Sequence, residues 1–154
     1  MIVRRASTMQ DVENMVALGA QMHKETRYAR VPYVPAKLIA YGRQFLADPS
    51  AGVFILAENE GRILGMMCGF SLRSFFNNEI VARDMIIYVR PECRVGTTAM
   101  RLVREFERWA KEIDATEITI GITADIDDAK AIKFYETLGY ARRGVTLAKE
   151  IGHG

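Results

Sequence analysis

The segment Tyr88-Val-Arg-Pro-Glu-Cys-Arg-Val-Gly-Thr-Thr-Ala-Met-Arg-Leu is where residue types and spacing point most directly to chemistry. An apolar strand ends there, a short loop with small residues turns, and a helix begins. The first backbone N–H groups of a helix have no intrahelical partner, and the helix dipole is positive at that end. Such an end takes phosphate or pyrophosphate. Gly96, Thr97, Thr98 and Ala99 let a ligand approach the backbone, and Arg94 adds a cationic contact; the same residues also suit an ordinary helix start. Neither common nucleotide loop is present, since both the Gly-Lys-Ser/Thr ending and Gly-x-Gly-x-x-Gly are missing. The titratable groups within reach of such a site in sequence terms are Glu79 and Asp84 on the preceding strand, His23 at the end of the first helix, and Tyr135. Ala131, Phe134, Tyr135 and Leu138 share one helix face by spacing.

Val89-Arg90-Pro91-Glu92 followed by Arg94-Val95-Gly96-Thr97-Thr98-Ala99 resembles the signature of the GNAT N-acetyltransferase family. That signature is a strand ending in Val-x-Pro-Glu, then Arg-x-x-Gly-x-Gly/Ala opening a long helix. Arg94 and Ala99 fall in register, whereas Thr97 stands where the family has its first glycine and Gly96 is one place early. A second match lies downstream. Asp128-Ala-Lys-Ala131-Ile-Lys-Phe-Tyr135-Glu-Thr-Leu-Gly139-Tyr140 is similar to the family's Asn-x-x-Ala-x-x-x-Tyr-x-x-x-Gly-Phe/Tyr, with Asp128 for Asn as the departure. The resemblance spans roughly Gly52 to Tyr140; the residues before it share only a β-α-α order.

The resemblance implies an acyl-coenzyme A-dependent N-acyltransferase that moves an acyl group, acetyl by expectation, to an amine by direct attack in a ternary complex. It implies that Arg94, Val95, Gly96, Thr97, Thr98 and Ala99 hold the coenzyme A pyrophosphate. It also implies that the strand carrying Ile87, Tyr88 and Val89 splays from the strand Thr116–Ile122 to admit the pantetheine arm, with the Val89 N–H toward the thioester oxygen. Asp128, Ala131, Phe134 and Tyr135 match cofactor-contacting positions, and Tyr135 matches the general acid for the departing thiolate. The base stays open among Glu79, Asp84 and His23. His23, Tyr28, Tyr33 and Phe75 are the candidate acceptor-side residues; loop aromatics serve equally well as a lid or a dimer contact. The acceptor is a small-molecule or peptide amine, no metal is implied, and the family's habit of pairing allows a homodimer.

The elements that must position these groups follow from periodicity. Ile2–Ala6 is a strand. Ser7-Thr8 opens a helix, with Gln10 as capping-box partner to Ser7, and Val12, Met15, Val16, Gly19 and Met22 mark its buried face. His23–Pro35 reads as a loop, and a second helix runs from Ala36 to Ala47, stopping at Asp48-Pro49. Gly52–Glu58 and Arg62–Leu72 form a hairpin around Asn59-Glu60-Gly61. After a turn at Ser74–Asn78, Glu79–Val89 is a strand whose alternation puts Asp84, Ile86 and Tyr88 on one face and Met85, Ile87 and Val89 on the other. A long amphipathic helix spans Thr97–Ile113. Thr116–Ile122 is a strand, Asp127–Leu138 a helix capped by Gly139, and Tyr140–Lys149 a final strand. The expected fold is one α/β domain over residues 1–154, with a mixed, mostly antiparallel sheet, a central splayed parallel strand pair, and helices on both faces.

Composition is ordinary for a globular chain: 154 residues, 49% hydrophobic and 26% charged. The formal net charge of +2 is too small for bulk attraction to nucleic acid, so a basic aromatic patch of Arg27, Arg30, Tyr28 and Tyr33 is set aside. Two cysteines, Cys68 and Cys93, make neither a disulfide framework nor a zinc site. No apolar run reaches membrane-spanning length and no signal peptide is read, so the expected location is the cytoplasm. His153 falls in a terminal tail. Two alternatives to amine acetylation remain: an inactive GNAT-like protein that binds acyl-coenzyme A, suggested by the departures at Thr97 and Asp128, and an acyltransferase acting on modified nucleic acid.

Overall fold

Strand β2 (Gly52–Asn59) is buried along most of its length because its side chains alternate between two apolar clusters. Val53, Ile55 and Ala57 join one, and Phe54 and Leu56 join the other. A strand apolar on both faces needs a helix layer on each side. The computed structural model, which describes residues 1–152, supplies both layers; His153 lies outside the described residues. Helices α1 (Met9–Glu25) and α2 (Pro35–Ala47) contribute Val12, Met15, Val16, Leu18 and Phe45 to one cluster. Helix α3 (Thr98–Glu112) contributes Leu102, Val103, Phe106, Trp109 and Ala110 to the other.

The sheet runs β1 (Ile2–Arg5), β2, β3 (Arg62–Arg73), β4 (Ile80–Val89), β5 (Ala115–Thr119), in that spatial order. The first three pairings are antiparallel and β4–β5 is parallel, joined through the α3 crossover. Helix α4 (Asp128–Thr137) follows, and Gly139 ends it at φ +94°, a conformation that favours glycine. This is the α/β architecture expected from the sequence, with one difference: the parallel pair stands at the edge of the described sheet, not at its centre.

Neighbouring arginines on β1 point to opposite faces. Arg4 pairs with Asp11 on α1 at 2.8 Å and Glu58 on β2 at 2.9 Å, while Arg5 pairs with Glu105 and Glu112 on α3 at 2.8 and 2.5 Å. Thus one short strand fastens a helix on each side.

Four sequence expectations are corrected. The capping box of α1 is Thr8 with Asp11, one residue beyond Ser7 and Gln10, because Asp11 can accept from the Thr8 backbone N–H and meet Arg4 at once. Residues 23–25 belong to α1 instead of a loop, and Arg27–Arg30 form a 3-10 turn capped by the Thr26 hydroxyl. The strand expected over Thr116–Ile122 pairs only as Ala115–Thr119. Tyr140–Lys149 forms no strand, having no ladder partner among the described residues; beyond it Glu150 pairs with Arg30 of the 3-10 turn.

Asp11 supports the N-terminal half. The Arg4 guanidinium, aided by the backbone N–H groups of Ser7 and Thr8, holds its carboxyl well below the usual carboxylate range. A depressed acid stabilises the fold above its unfolded value, here 3.8, and that contribution is lost as pH falls below it. Asp11→Ala is expected to cost about 1–3 kcal/mol near pH 7 through the lost cap and charged hydrogen bonds. Urea denaturation should show the difference from wild type shrinking as the pH is taken down towards 3.

Candidate active site

β4 and β5 part company halfway along. Their last paired residues are Arg83 and Thr119, yet β4 continues to Val89. A β-bulge governs what this opening contains. Across β3 and β4, Cys68 faces Ile86 and Gly69 faces Asp84, so Met85 is the extra residue. The bulge reverses the alternation: Ile86 and Tyr88 face the α1/α2 cluster, while Ala82 joins Ile87 and Val89 on the α3 side. Asp84, opposite Gly69, also turns to the α3 side. The sequence expectation that Asp84 shares a face with Ile86 and Tyr88 is therefore corrected.

Asp84 sits in the mouth of the opening, where its Oδ1 accepts the Gly121 backbone N–H at 2.8 Å. Burial pushes its carboxyl up from 3.8 to about 6, against the opposing effects of the Gly121 N–H and Arg83. Tyr135 on α4 is buried nearby, packed edge-on against Tyr140 at 5.6 Å between ring centroids. Burial, then the charge of Asp84, push the Tyr135 phenol above its ordinary value, so it keeps its proton through neutral pH. Ala131 and Phe134 are half-buried on the same helix, whereas Asp128 is exposed in its first turn and the cap is Asp127.

At the far end of β4, Arg90 donates to Leu64 on β3 at 2.9 Å. Strand alternation then turns the N–H and carbonyl of Val89 the other way, toward the β5 side. The loop Arg94–Thr97 is exposed, with Gly96 at φ +131° and Val95 among the most exposed residues of the chain. Thr97 caps α3 with no side-chain hydrogen bond, and among the described residues the backbone N–H groups from Val95 to Ala99 have no partner. Thr98 is buried and Ala99 half-buried against the core. An uncapped helix start beside a strand with one free edge suits a ligand that has a pyrophosphate and an extended amide arm, as coenzyme A has.

The 3-10 turn after α1 roofs the β5–α4 connection. Arg27 N–H donates to Ala124 O at 3.3 Å, and the Tyr28 hydroxyl lies 3.0 Å from Thr123 Oγ1. The Tyr33 and His23 rings pack tilted against each other at 5.2 Å between centroids, and the Tyr33 hydroxyl donates to the Val16 carbonyl at 2.5 Å, so both belong to the packing of α1. Glu79 and Phe75 are placed elsewhere, at the β3–β4 turn, which is the end of β4 opposite Val89. Glu79 accepts from the Asn77 amide at 3.0 Å, and Phe75 is 93% exposed against Phe76. The structure also assembles a residue that the sequence did not single out. Glu25, the last residue of α1, accepts the Tyr88 hydroxyl and pairs with Arg94 at 2.7 Å. It lies 63 and 69 residues from them in sequence, and no motif links the three.

Burial of Asp84 makes a test. A carboxyl with a raised value disfavours the folded state progressively as pH climbs from 3.8 through about 6. Asp84→Asn keeps an acceptor for Gly121 N–H and removes the charge. It should stabilise the fold at pH 7–8 by on the order of 3 kcal/mol, seen as a higher Tm, and leave it nearly unchanged at pH 4. Thermal unfolding across that range measures the difference.

A sequence profile of the Acetyltransferase (GNAT) family matches residues 20–140. No curated protein matches the chain. Among solved structures, a transcriptional regulator from Bacillus halodurans C-125 is 22% identical with TM-score 0.77, covering 97% of this chain and 99% of its own. Glucosamine-6-phosphate N-acetyltransferase from Arabidopsis thaliana is 13% identical with TM-score 0.77, covering 98% of each chain. A predicted acetyltransferase from Clostridium acetobutylicum, solved with acetyl-CoA, is 18% identical with TM-score 0.75, covering 97% of this chain and 95% of its own. At these identities the likeness bears on the fold alone. Among the described residues, no helix is long and apolar enough to cross a membrane and no group of metal-ligating side chains is assembled.

Proposed function

Because the chain belongs to the GNAT acetyltransferase family, we propose that it moves an acetyl group from acetyl-coenzyme A to the amine of a small molecule or peptide, by direct attack. The observation that carries this reading is the parting of β4 from β5 after Arg83 and Thr119, with Asp84 and Tyr135 at its sides. The bound thioester supplies the activated acyl group. The free N–H groups from Val95 to Ala99, with the positive end of α3, take the pyrophosphate. The free edge of β4 through Ile87 and Val89 takes the pantetheine arm as a strand would, and the Val89 N–H donates to the thioester oxygen as charge develops there.

Proton traffic is divided between a half-buried carboxyl and a buried phenol. Asp84, raised to about 6, is ionised at neutral pH yet more basic than an exposed carboxylate, so it removes the proton of the attacking amine directly or through a water. Tyr135, held protonated, donates to the departing thiolate. Placing Asp84 and Tyr135 on the same side of the sheet sets the opposed tasks of base and acid beside one reacting centre.

Coenzyme A should raise Tm in a concentration-dependent way, since a ligand that binds only the native state stabilises it by mass action. An unmoved Tm together with silent calorimetry contradicts the proposal. Tyr135→Phe keeps the ring packing and removes the donor. It should lower kcat by roughly a hundredfold or more while coenzyme A affinity stays within a few-fold. Wild-type turnover by a folded Tyr135→Phe protein would make Tyr135 a packing residue.

A further inference from the structure

Arg94 is the cation best placed to meet phosphate at the start of α3, and in the structure it is engaged three ways. Its Nη2 donates to Glu25 at 2.7 Å, its Nε donates to the Val89 carbonyl at 2.9 Å, and its guanidinium stacks over the Tyr88 ring at 5.4 Å. Glu25 is also held by the Tyr88 hydroxyl, and its carboxyl is lowered first by that hydroxyl and then by Arg94. A carboxylate that accepts from a guanidinium offers it anionic acceptor oxygens, as a phosphate would. Glu25 closes α1, whose chain continues directly into the 3-10 turn roofing Thr123 and Ala124. The one carboxylate therefore joins the phosphate loop, the end of β4, and the turn over the opening.

We propose that Glu25 is an internal competitor for Arg94: it occupies the guanidinium that the cofactor's phosphates would take, so that cofactor binding passes Arg94 from carboxylate to phosphate and leaves Glu25 held by Tyr88 alone. Glu25 is thus a positioning residue, acting through Arg94. This rests on the coenzyme A reading above. The exchange breaks one ion pair and forms another, with no net proton transfer. Its consequence is a coupling between the two halves of the site, because binding at the phosphate loop frees the carboxylate at the base of the roofing turn for an ammonium group of the amine acceptor. Tyr88 keeps Glu25 near β4 throughout, since its burial among Val12, Met15 and Met66 does not depend on Arg94.

The test is a double-mutant cycle read by calorimetry with coenzyme A alone. Both partners of the ion pair are partly exposed, at 39% and 35% for the two side chains, so its strength is that of a surface pair. Glu25→Gln should therefore tighten coenzyme A binding by roughly two- to fivefold. Arg94→Ala should weaken binding, and adding Glu25→Gln to Arg94→Ala should then change nothing. If Glu25→Gln tightens binding equally in the presence and absence of Arg94, the effect is general repulsion between Glu25 and a polyanionic ligand, and the exchange is overturned. Unchanged or weaker binding by Glu25→Gln overturns it also. Failure of the wild-type protein to bind coenzyme A removes the premise itself and contradicts the proposed function first. Circular dichroism of each variant separates loss of fold from loss of exchange.

Discussion

One extra residue in β4 organises the rest of the molecule. With Met85 bulged out of the β3–β4 ladder, the first half of β4 changes face relative to the second. Ala82 and Asp84 then share the α3 side with Ile87 and Val89, and the strand is turned enough that β5 stays paired only as far as Thr119. Unbulged, Asp84 would project to the side of the sheet that carries the apolar α1/α2 cluster, where an unpaired carboxylate is costly. Gly69 is what lets the bulge pack. A Cβ there would lie 2.3 Å from Cε2 of Phe106 and 2.8 Å from the Arg83 carbonyl, so only a residue without one lets α3 close over this point.

The two faces of the sheet do different work. On the α3 side, the core rises directly into the opening: Phe106 and Trp109 stack at 5.4 Å, and Trp109 donates to the Pro49 carbonyl at 2.7 Å, fixing α3 against the start of β2. A rigid α3 keeps its N-terminal N–H groups aimed at one place. On the other side, α1 is held at its start by Arg4 and Asp11 and at its end by Tyr88 and Arg94. The chain then crosses the opening as the Arg27–Arg30 turn. Strand register, helix packing and the roof of the site are linked through few side chains, most of them charged or hydroxylated.

Charge placement explains why the site tolerates its own polar groups. Asp84 is half-buried but has the Gly121 N–H, which loses its place in the ladder when β5 departs; each satisfies the other. Tyr135 is buried with its phenol neutral, the form that costs least there. At the loop the reverse holds, since Val95, Gly96 and Thr97 are exposed and their N–H groups can wait in water at little cost.

Sequence alone determined the order of strands and α-helices as far as α4, the amphipathic α3, the small-residue loop before it, and the family, because these rest on local periodicity and on motifs whose residues lie within one or two turns of each other. Tyr135 and Gly139 were legible for the same reason: they stand at fixed offsets along a single helix. What only the tertiary structure decided depends on partners far away along the chain. The face of Asp84 turned on a bulge, and a bulge is a relation between two strands that neither spells out. The role of Asp11 required Arg4, and that of Glu25 required Tyr88 and Arg94. The sequence reads Tyr140–Lys149 as a strand, but a strand is completed by ladder hydrogen bonds from a neighbour, and the segment has none among the described residues. Glu79 and Phe75 looked close to the site because they precede β4 in sequence, and an extended strand carried them to its far end.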